Sequence, residues 1–244
     1  MLEYEIIEAG GKSFAIRPNT SDKGAIKYGF LTPEAERPKI GFRVEPGELW
    51  LDMGGYIGTF AIMALSRKAK VIIFEPFLDH VNIIQKNLEL NNLKAEIISK
   101  AVVNKTSGKE SFVINNRGGR YDGSGLFNRW KTVRPWITVD SIKFSDALEI
   151  GYQTQHPLCI KMNIEGAEIE ILENWKPEYD VKKFVFEWHF QVENNLNRLR
   201  NIIFKIENYG YTIISHGKIP QDRDTWYTGK YQCMWFHCTR NGKD

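Results

Sequence analysis

Cysteine is nearly absent from this chain. Cys159, Cys233 and Cys238 are spread over 244 residues and form no Cys-x-x-Cys pair. That excludes a disulfide framework and a zinc knuckle, and it fits a reducing compartment. No apolar run approaches the roughly 18–20 residues needed to span a bilayer. The opening Met1-Leu2-Glu3-Tyr4-Glu5 is acidic where a secretory leader is basic and then apolar. The expectation is a cytoplasmic protein without a membrane span. Charge of one sign is scarce as well: 33 Lys and Arg against 30 Asp and Glu leave a net +3. A nucleic-acid binder carries a more lopsided balance or a basic stripe, so nucleic acid is an unlikely partner. Internal repeats, low-complexity tracts and Ser/Gly or Pro linkers are missing too.

What is present is an ordinary globular composition, 42% hydrophobic and 26% charged. A chain of this length buries a core without metal or disulfide staples. One domain over 1–244 is expected, with 1–47 as an N-terminal hairpin and loop extension and 48–244 as the core. The aromatic share of 13%, with seven Trp, exceeds ordinary packing needs and points to a surface that stacks on a ring.

Tyr4–Glu8 and Ser13–Arg17 read as strands around the turn Ala9-Gly10-Gly11-Lys12. Residues 19–48 read as irregular, with at most one short helix. Strands and helices then alternate. Strands are expected over Glu48–Met53, Lys70–Phe74, Ala95–Val103, Leu158–Ile164 and Lys183–Phe190. Helices are expected over Thr59–Ser66, Leu78–Leu90, Ile169–Trp175 and Val192–Asn208. Tyr211–Ser215 and Gln232–Thr239 close the chain as two strands. Such alternation specifies an α/β fold with a mostly parallel sheet covered on both faces and an antiparallel C-terminal hairpin. A ligand on that sheet sits at the carboxyl ends of the strands.

The first strand runs into Asp52-Met53-Gly54-Gly55-Tyr56-Ile57-Gly58-Thr59. Gly-x-Gly-x-x-Gly fails here, because Tyr56 stands where the second glycine belongs. A carboxylate at this turn repels a pyrophosphate but suits a ligand with an ammonium and a sulfonium, such as S-adenosylmethionine. Phe74-Glu75-Pro76 ends the second strand, and an acid at that tip accepts hydrogen bonds from ribose hydroxyls. Period-two alternation puts Lys161, Asn163 and Glu165 on one face of the fourth strand, and Glu187 and His189 on one face of the fifth. Polar side chains on a central strand need partners or a ligand.

The runs Leu51–Gly58, Phe74-Glu75-Pro76, Lys161–Glu168 followed by Ile171-Leu172, and Phe186–His189 resemble the FkbM-type methyltransferases, over about Leu49 to His189. The resemblance implies a Rossmann-like class I methyltransferase fold with a seven-stranded sheet. The implied activity is adenosylmethionine-dependent O-methylation of sugar hydroxyls on glycans or glycoconjugates. Carried over by position, Asp52, Gly54, Gly58 and Glu75 bind the cofactor and Ser99–Ala101 lies near the adenine; Gly55, Tyr56 and Asn163 are further candidate cofactor contacts. Asn163 stands where the family usually has Asp, which leaves open any role there that needs a charge.

Methyl transfer to a hydroxyl is an in-line displacement that needs positioning and a base or cation. His189, Glu165 and Glu187 are the candidates: His189 or Glu165 as base, or Mg²⁺ or Mn²⁺ held by Glu165 and Glu187. Acceptor contacts are expected from the Gly-rich loop Asn115–Trp136, with Arg120, Tyr121, Trp130 and Trp136, and from Trp226 between the last strands. Aromatics among basic residues also suit single-stranded RNA. The alternative readings are therefore a methyltransferase acting on RNA or protein, and a non-catalytic adenosine- or glycan-binding module.

Overall fold

The computed structural model describes residues 3–115, 123–126, 135–190, 196–216, 219 and 233–242. The chain opens with an antiparallel hairpin, β1 (Glu5–Ala9) and β2 (Lys12–Ile16). Helix α1 (Asp22–Ile26), a π-helical turn over Lys27–Leu31 and a 3₁₀ turn over Pro38–Ile40 follow, more helix than the irregular stretch expected from its composition. The stretch is ordered because a fully buried carboxylate, Asp22, is tied to Arg17 by two side-chain hydrogen bonds of 2.9 and 2.7 Å.

Alternation then proceeds through β3 (Leu49–Met53), α2 (Thr59–Ser66), β4 (Lys70–Phe74), α3 (Leu78–Leu90) and β5 (Glu96–Ile98). Strands β6 (Ala101–Val103), β7 (Lys109–Val113) and β8 (Trp136–Lys143) lead into helix α4 (Phe144–Tyr152). Next come β9 (Leu158–Met162), α5 (Glu168–Asn174), β10 (Val181–His189) and α6, described over Leu196–Asn208. The last strands are β11 (Tyr211–Ser215) and β12 (Cys233–Arg240).

Seven strands form one sheet in the order β11-β12-β10-β9-β3-β4-β5. It is parallel from β10 to β5, while β12 runs antiparallel to both β10 and β11. It is the mostly parallel seven-stranded sheet with antiparallel C-terminal strands that the sequence leads one to expect, and its order reverses beside β3. Period-two alternation sorts the strand side chains between two cores. Leu49, Leu51, Met53, Phe184, Phe186 and Trp188 join α4, α5 and α6 on one face. Trp50, Val71, Ile73 and Val185 join α2, α3 and the N-terminal Phe14 and Ile16 on the other. Each fully buried aliphatic side chain of this kind contributes about 1.5–3 kcal/mol. Asn87 of α3 fastens the extension: its amide bonds the Ala15 carbonyl at 3.2 Å and the Ile57 carbonyl at 2.9 Å.

The structure corrects two expectations here. Ala95–Val103 is two strands in different sheets, because the chain turns at Ser99-Lys100 and Ala101–Val103 pairs instead with Ser141–Lys143. Strand β9 also stops at Met162, so Asn163 and Glu165 leave the sheet rather than continuing its alternation. Glu165 lies at φ +60, outside any strand geometry.

Candidate functional site

A cavity of about 680 Å³ opens at the carboxyl ends of β3, β4, β9 and β10. That is the size of a small-molecule site. Gly54, Gly55, Tyr56 and Glu75 line one part; Asn163, Glu165, Glu187 and His189 line another. The N-terminal extension supplies further wall, including Ser21, Tyr28 and Glu34.

The first turn is built differently from the sequence expectation. Asp52 is fully buried and does not belong to the cavity wall. Its Oδ1 lies 2.9 Å from Lys161 Nζ, while Oδ2 has no hydrogen-bond partner among the described residues. Burial pushes the Asp52 carboxyl above the ordinary range, against the opposing pull of Lys161. Lys161 Nζ also donates to the Gly54 carbonyl at 2.7 Å, so it stands as the counter-charge that underpins the turn. Gly54, at φ +87, could not carry a Cβ without overlapping the Asn163 carbonyl. The glycine is thus required by neighbouring backbone as well as by any ligand. Gly58 caps α2 at its N-terminus and, like Ser99, is missing from the described wall, whereas Lys100 and Ala101 line it.

Glu75 is 4% exposed and held by three donors. Its Oε2 accepts from the Tyr56 N–H at 2.9 Å, and its Oε1 from the Phe77 N–H at 3.1 Å. His80 Nδ1 lies 3.2 Å from the same Oε1. Tyr56 is bound at both ends, because its hydroxyl donates to Asp22 at 2.6 Å. Burial pushes Asp22 up, but the bonds from Arg17 and Tyr56 outweigh it and hold the carboxyl below the ordinary range. Burial, and then Asp22, push the Tyr56 phenol up. These anchors hold Tyr56 at φ +52, a left-handed conformation that costs a non-glycine residue about 1–2 kcal/mol. Such strain persists where the surroundings over-determine it, typically at ligand sites.

At the other end, β10 presents Glu187 and His189 two positions apart, on one face. His189 Nδ1 lies 2.7 Å from Glu168 Oε1, which also accepts the His189 backbone N–H at 3.2 Å. Glu168 Oε2 accepts the Gly166 N–H at 2.8 Å. A carboxylate accepts, so the Nδ1 carries the hydrogen, and Nε2 is turned toward Glu165 Oε2 at 3.6 Å and Glu187 Oε2 at 3.7 Å. Both separations are those of charge neighbours, longer than hydrogen bonds. Among the described residues, no group of three or more His, Cys, Asp or Glu could hold a metal ion. Glu34 adds a further acid to the wall; burial, and then Glu187, push its carboxyl up.

Of the residues read as acceptor contacts, Arg120, Tyr121, Trp130 and Trp226 lie outside the described residues. Trp136 begins β8, is 50% exposed and does not line the cavity. The described piece of that loop, 123–126, does, with Gly125 packed so tightly that a Cβ would stand 2.7 Å from Glu165 Cβ. Sequence reasoning missed Glu168, His80 and Glu34. Glu168 stands in the Lys161–Glu168 run that carries the family resemblance, but no local spacing gives it a role there. His80 and Glu34 carry no motif that would have found them.

The sequence profile of the methyltransferase FkbM domain matches residues 52–213, more than half of the chain. No curated protein matches it in sequence. Among solved structures, M. jannaschii TYW2 in complex with AdoMet is similar at 15% identity and TM-score 0.44, covering 98% of this chain and 87% of that one. A putative rRNA methylase from Clostridium thermocellum is similar at 10% identity and TM-score 0.45, covering 94% and 100%. A putative SAM-dependent methyltransferase from Streptococcus mutans reaches TM-score 0.48 at 9% identity, covering 97% and 55%.

Proposed function

We propose, from the premise that the chain belongs to the FkbM methyltransferase family and uses S-adenosylmethionine, that it methylates a sugar hydroxyl of a glycan or glycoconjugate. Adenosylmethionine supplies an electrophilic methyl group on a sulfonium. The residues fit that group, since Glu75 offers a carboxylate with unused acceptor capacity beside Tyr56, and Asn163 Oδ1 and His80 Nε2 are buried polar atoms without partners among the described residues.

One observation carries the acceptor assignment: His189, oriented by Glu168, faces a wall that holds Glu165, Glu187 and Glu34. Carboxylates accept hydrogen bonds, so they suit a neutral polyol that donates from several hydroxyls, and they repel a phosphate backbone. In this reading His189 Nε2 removes the hydroxyl proton while the oxygen–carbon bond forms and the carbon–sulfur bond breaks. Glu165 and Glu187 hold the hydroxyl and stabilise the imidazolium. Glu168 acts through His189, as a positioning residue. A base of this kind contributes about 10²–10⁴-fold in rate.

The test is transfer of labelled methyl groups to methyl glycosides, short glycans, RNA transcripts and peptides, each with and without EDTA. Label should enter glycosides, with little dependence on salt, and His189→Ala should abolish it while S-adenosylhomocysteine still binds. Label entering RNA, with a steep salt dependence, or entering peptides alone, would overturn the acceptor class. Loss of transfer on adding EDTA would reassign Glu165 and Glu187 to a metal.

A further inference from the structure

His80, the third residue of α3, is 2% exposed yet lines the cavity. Its ring is gripped edge-on between the Tyr56 and Phe77 rings, each with its centroid 4.8 Å away. Nδ1 lies 3.2 Å from Glu75 Oε1, and Nε2 has no partner among the described residues. With Nδ1–H donating to the carboxylate, the neutral ring leaves Nε2 as an acceptor. A buried polar atom without a partner is costly, and one on the wall of a cavity points to a ligand that supplies the missing hydrogen bond.

Counting acceptor capacity around Glu75 sharpens the point. A carboxylate offers about four lone-pair positions, two on each oxygen. Oε1 already takes the Phe77 N–H and the His80 Nδ1–H, and Oε2 takes the Tyr56 N–H. Among the described residues, one position, on Oε2, remains. The two hydroxyls of a ribose therefore exceed the lone pairs Glu75 has left, and the histidine bonded to it, itself a residue of the cavity, carries an unused acceptor.

We propose that His80 is a ribose-binding residue: one cofactor hydroxyl donates to Glu75 Oε2 and the other to His80 Nε2. This rests on the reading of Glu75 as the ribose acid.

The test uses adenosine, 2′-deoxyadenosine and 3′-deoxyadenosine as probes, with binding measured by calorimetry on the full chain. Two variants separate the roles of the ring nitrogens. His80→Asn puts an amide donor where Nδ1 bonds Glu75 but removes the acceptor at Nε2. His80→Gln extends an amide oxygen to the Nε2 position. The wild type should lose about tenfold in affinity for each deoxynucleoside, the value of one hydrogen bond. His80→Asn should bind adenosine about tenfold more weakly and become indifferent to the loss of one of the two hydroxyls. His80→Gln should keep both discriminations. Unchanged discrimination in His80→Asn, or equal loss of binding in both variants with melting temperatures unaltered, would overturn the proposal. A wild type indifferent to both hydroxyls would instead remove the ribose from Glu75, and with it the cofactor placement itself.

Discussion

Lys161 Nζ stands 2.9 Å from Asp52 Oδ1, and the two residues are register partners on adjacent parallel strands. The acid that opens the glycine turn therefore carries its own cation and does not face the cavity as a bare charge. Removing one partner of a buried pair leaves the other uncompensated, which costs about 3–5 kcal/mol. Lys161→Met should lower stability by that amount in urea unfolding, and the double variant Asp52→Asn/Lys161→Met should recover most of it. A single variant within about 1 kcal/mol of wild type would show that the pair is not the support of the turn.

Glu168 accepts both the ring Nδ1–H and the backbone N–H of His189. Glu168→Gln weakens that grip without emptying the space. Transfer should fall at least about tenfold, and by no more than the roughly 10²–10⁴ that a general base contributes. The pH profile of kcat should move with it, while S-adenosylhomocysteine affinity stays within about twofold, less than one hydrogen bond is worth. A fall in cofactor affinity with an unmoved pH profile would make Glu168 merely structural.

Gly54 and Gly11 both have positive φ, +87 and +75, but their surroundings differ. A Cβ at Gly11 meets nothing within 4 Å, whereas at Gly54 it overlaps the Asn163 carbonyl. Gly11→Ala should cost about 1–2 kcal/mol, the left-handed penalty alone. Gly54→Ala should cost clearly more, and should also disturb the β3–β9 seam. Equal costs in thermal unfolding would contradict the close backbone approach.

His237 is 1% exposed, and its Nε2–H donates to the Glu34 carbonyl at 3.0 Å. Burial pulls its pKa down from 6.5 to about 4, so the folded state keeps it neutral where the unfolded chain protonates it. Between those values the unfolded state binds more protons. Stability therefore falls as pH drops from about 6.5 to about 4 and is regained on raising it. The full difference is about 3 kcal/mol. Unfolding of His237→Gln followed from pH 7 to pH 4 should show a flatter dependence by roughly that amount; an identical slope in both proteins would mean that the histidine is not the group responsible.

Much of the scaffold was legible because the information is local. Apolar residues at helical or alternating spacing place Thr59–Ser66, Lys70–Phe74, Leu78–Leu90 and Tyr211–Ser215 with the bounds the structure has. Ala95–Val103 misled because a continuous apolar run does not record a change of sheet. The Glu75 tip and the pairing of Glu187 with His189 on one face were also readable, since each follows from where a strand ends or how it alternates. That Asp52 turns inward to Lys161 was not.

The amino-acid order by itself determined the alternating elements, the glycine turn, the acid after the second strand and the family to which the chain belongs, because each is written in a short stretch of residues. Tertiary structure alone decided which polar groups meet. Lys161 bonds the Gly54 carbonyl 107 positions away, His189 meets Glu168 across 21, and Glu34 of the extension reaches Trp235 across 201. Those distances are closed by strand order and by burial, and no local period encodes either one.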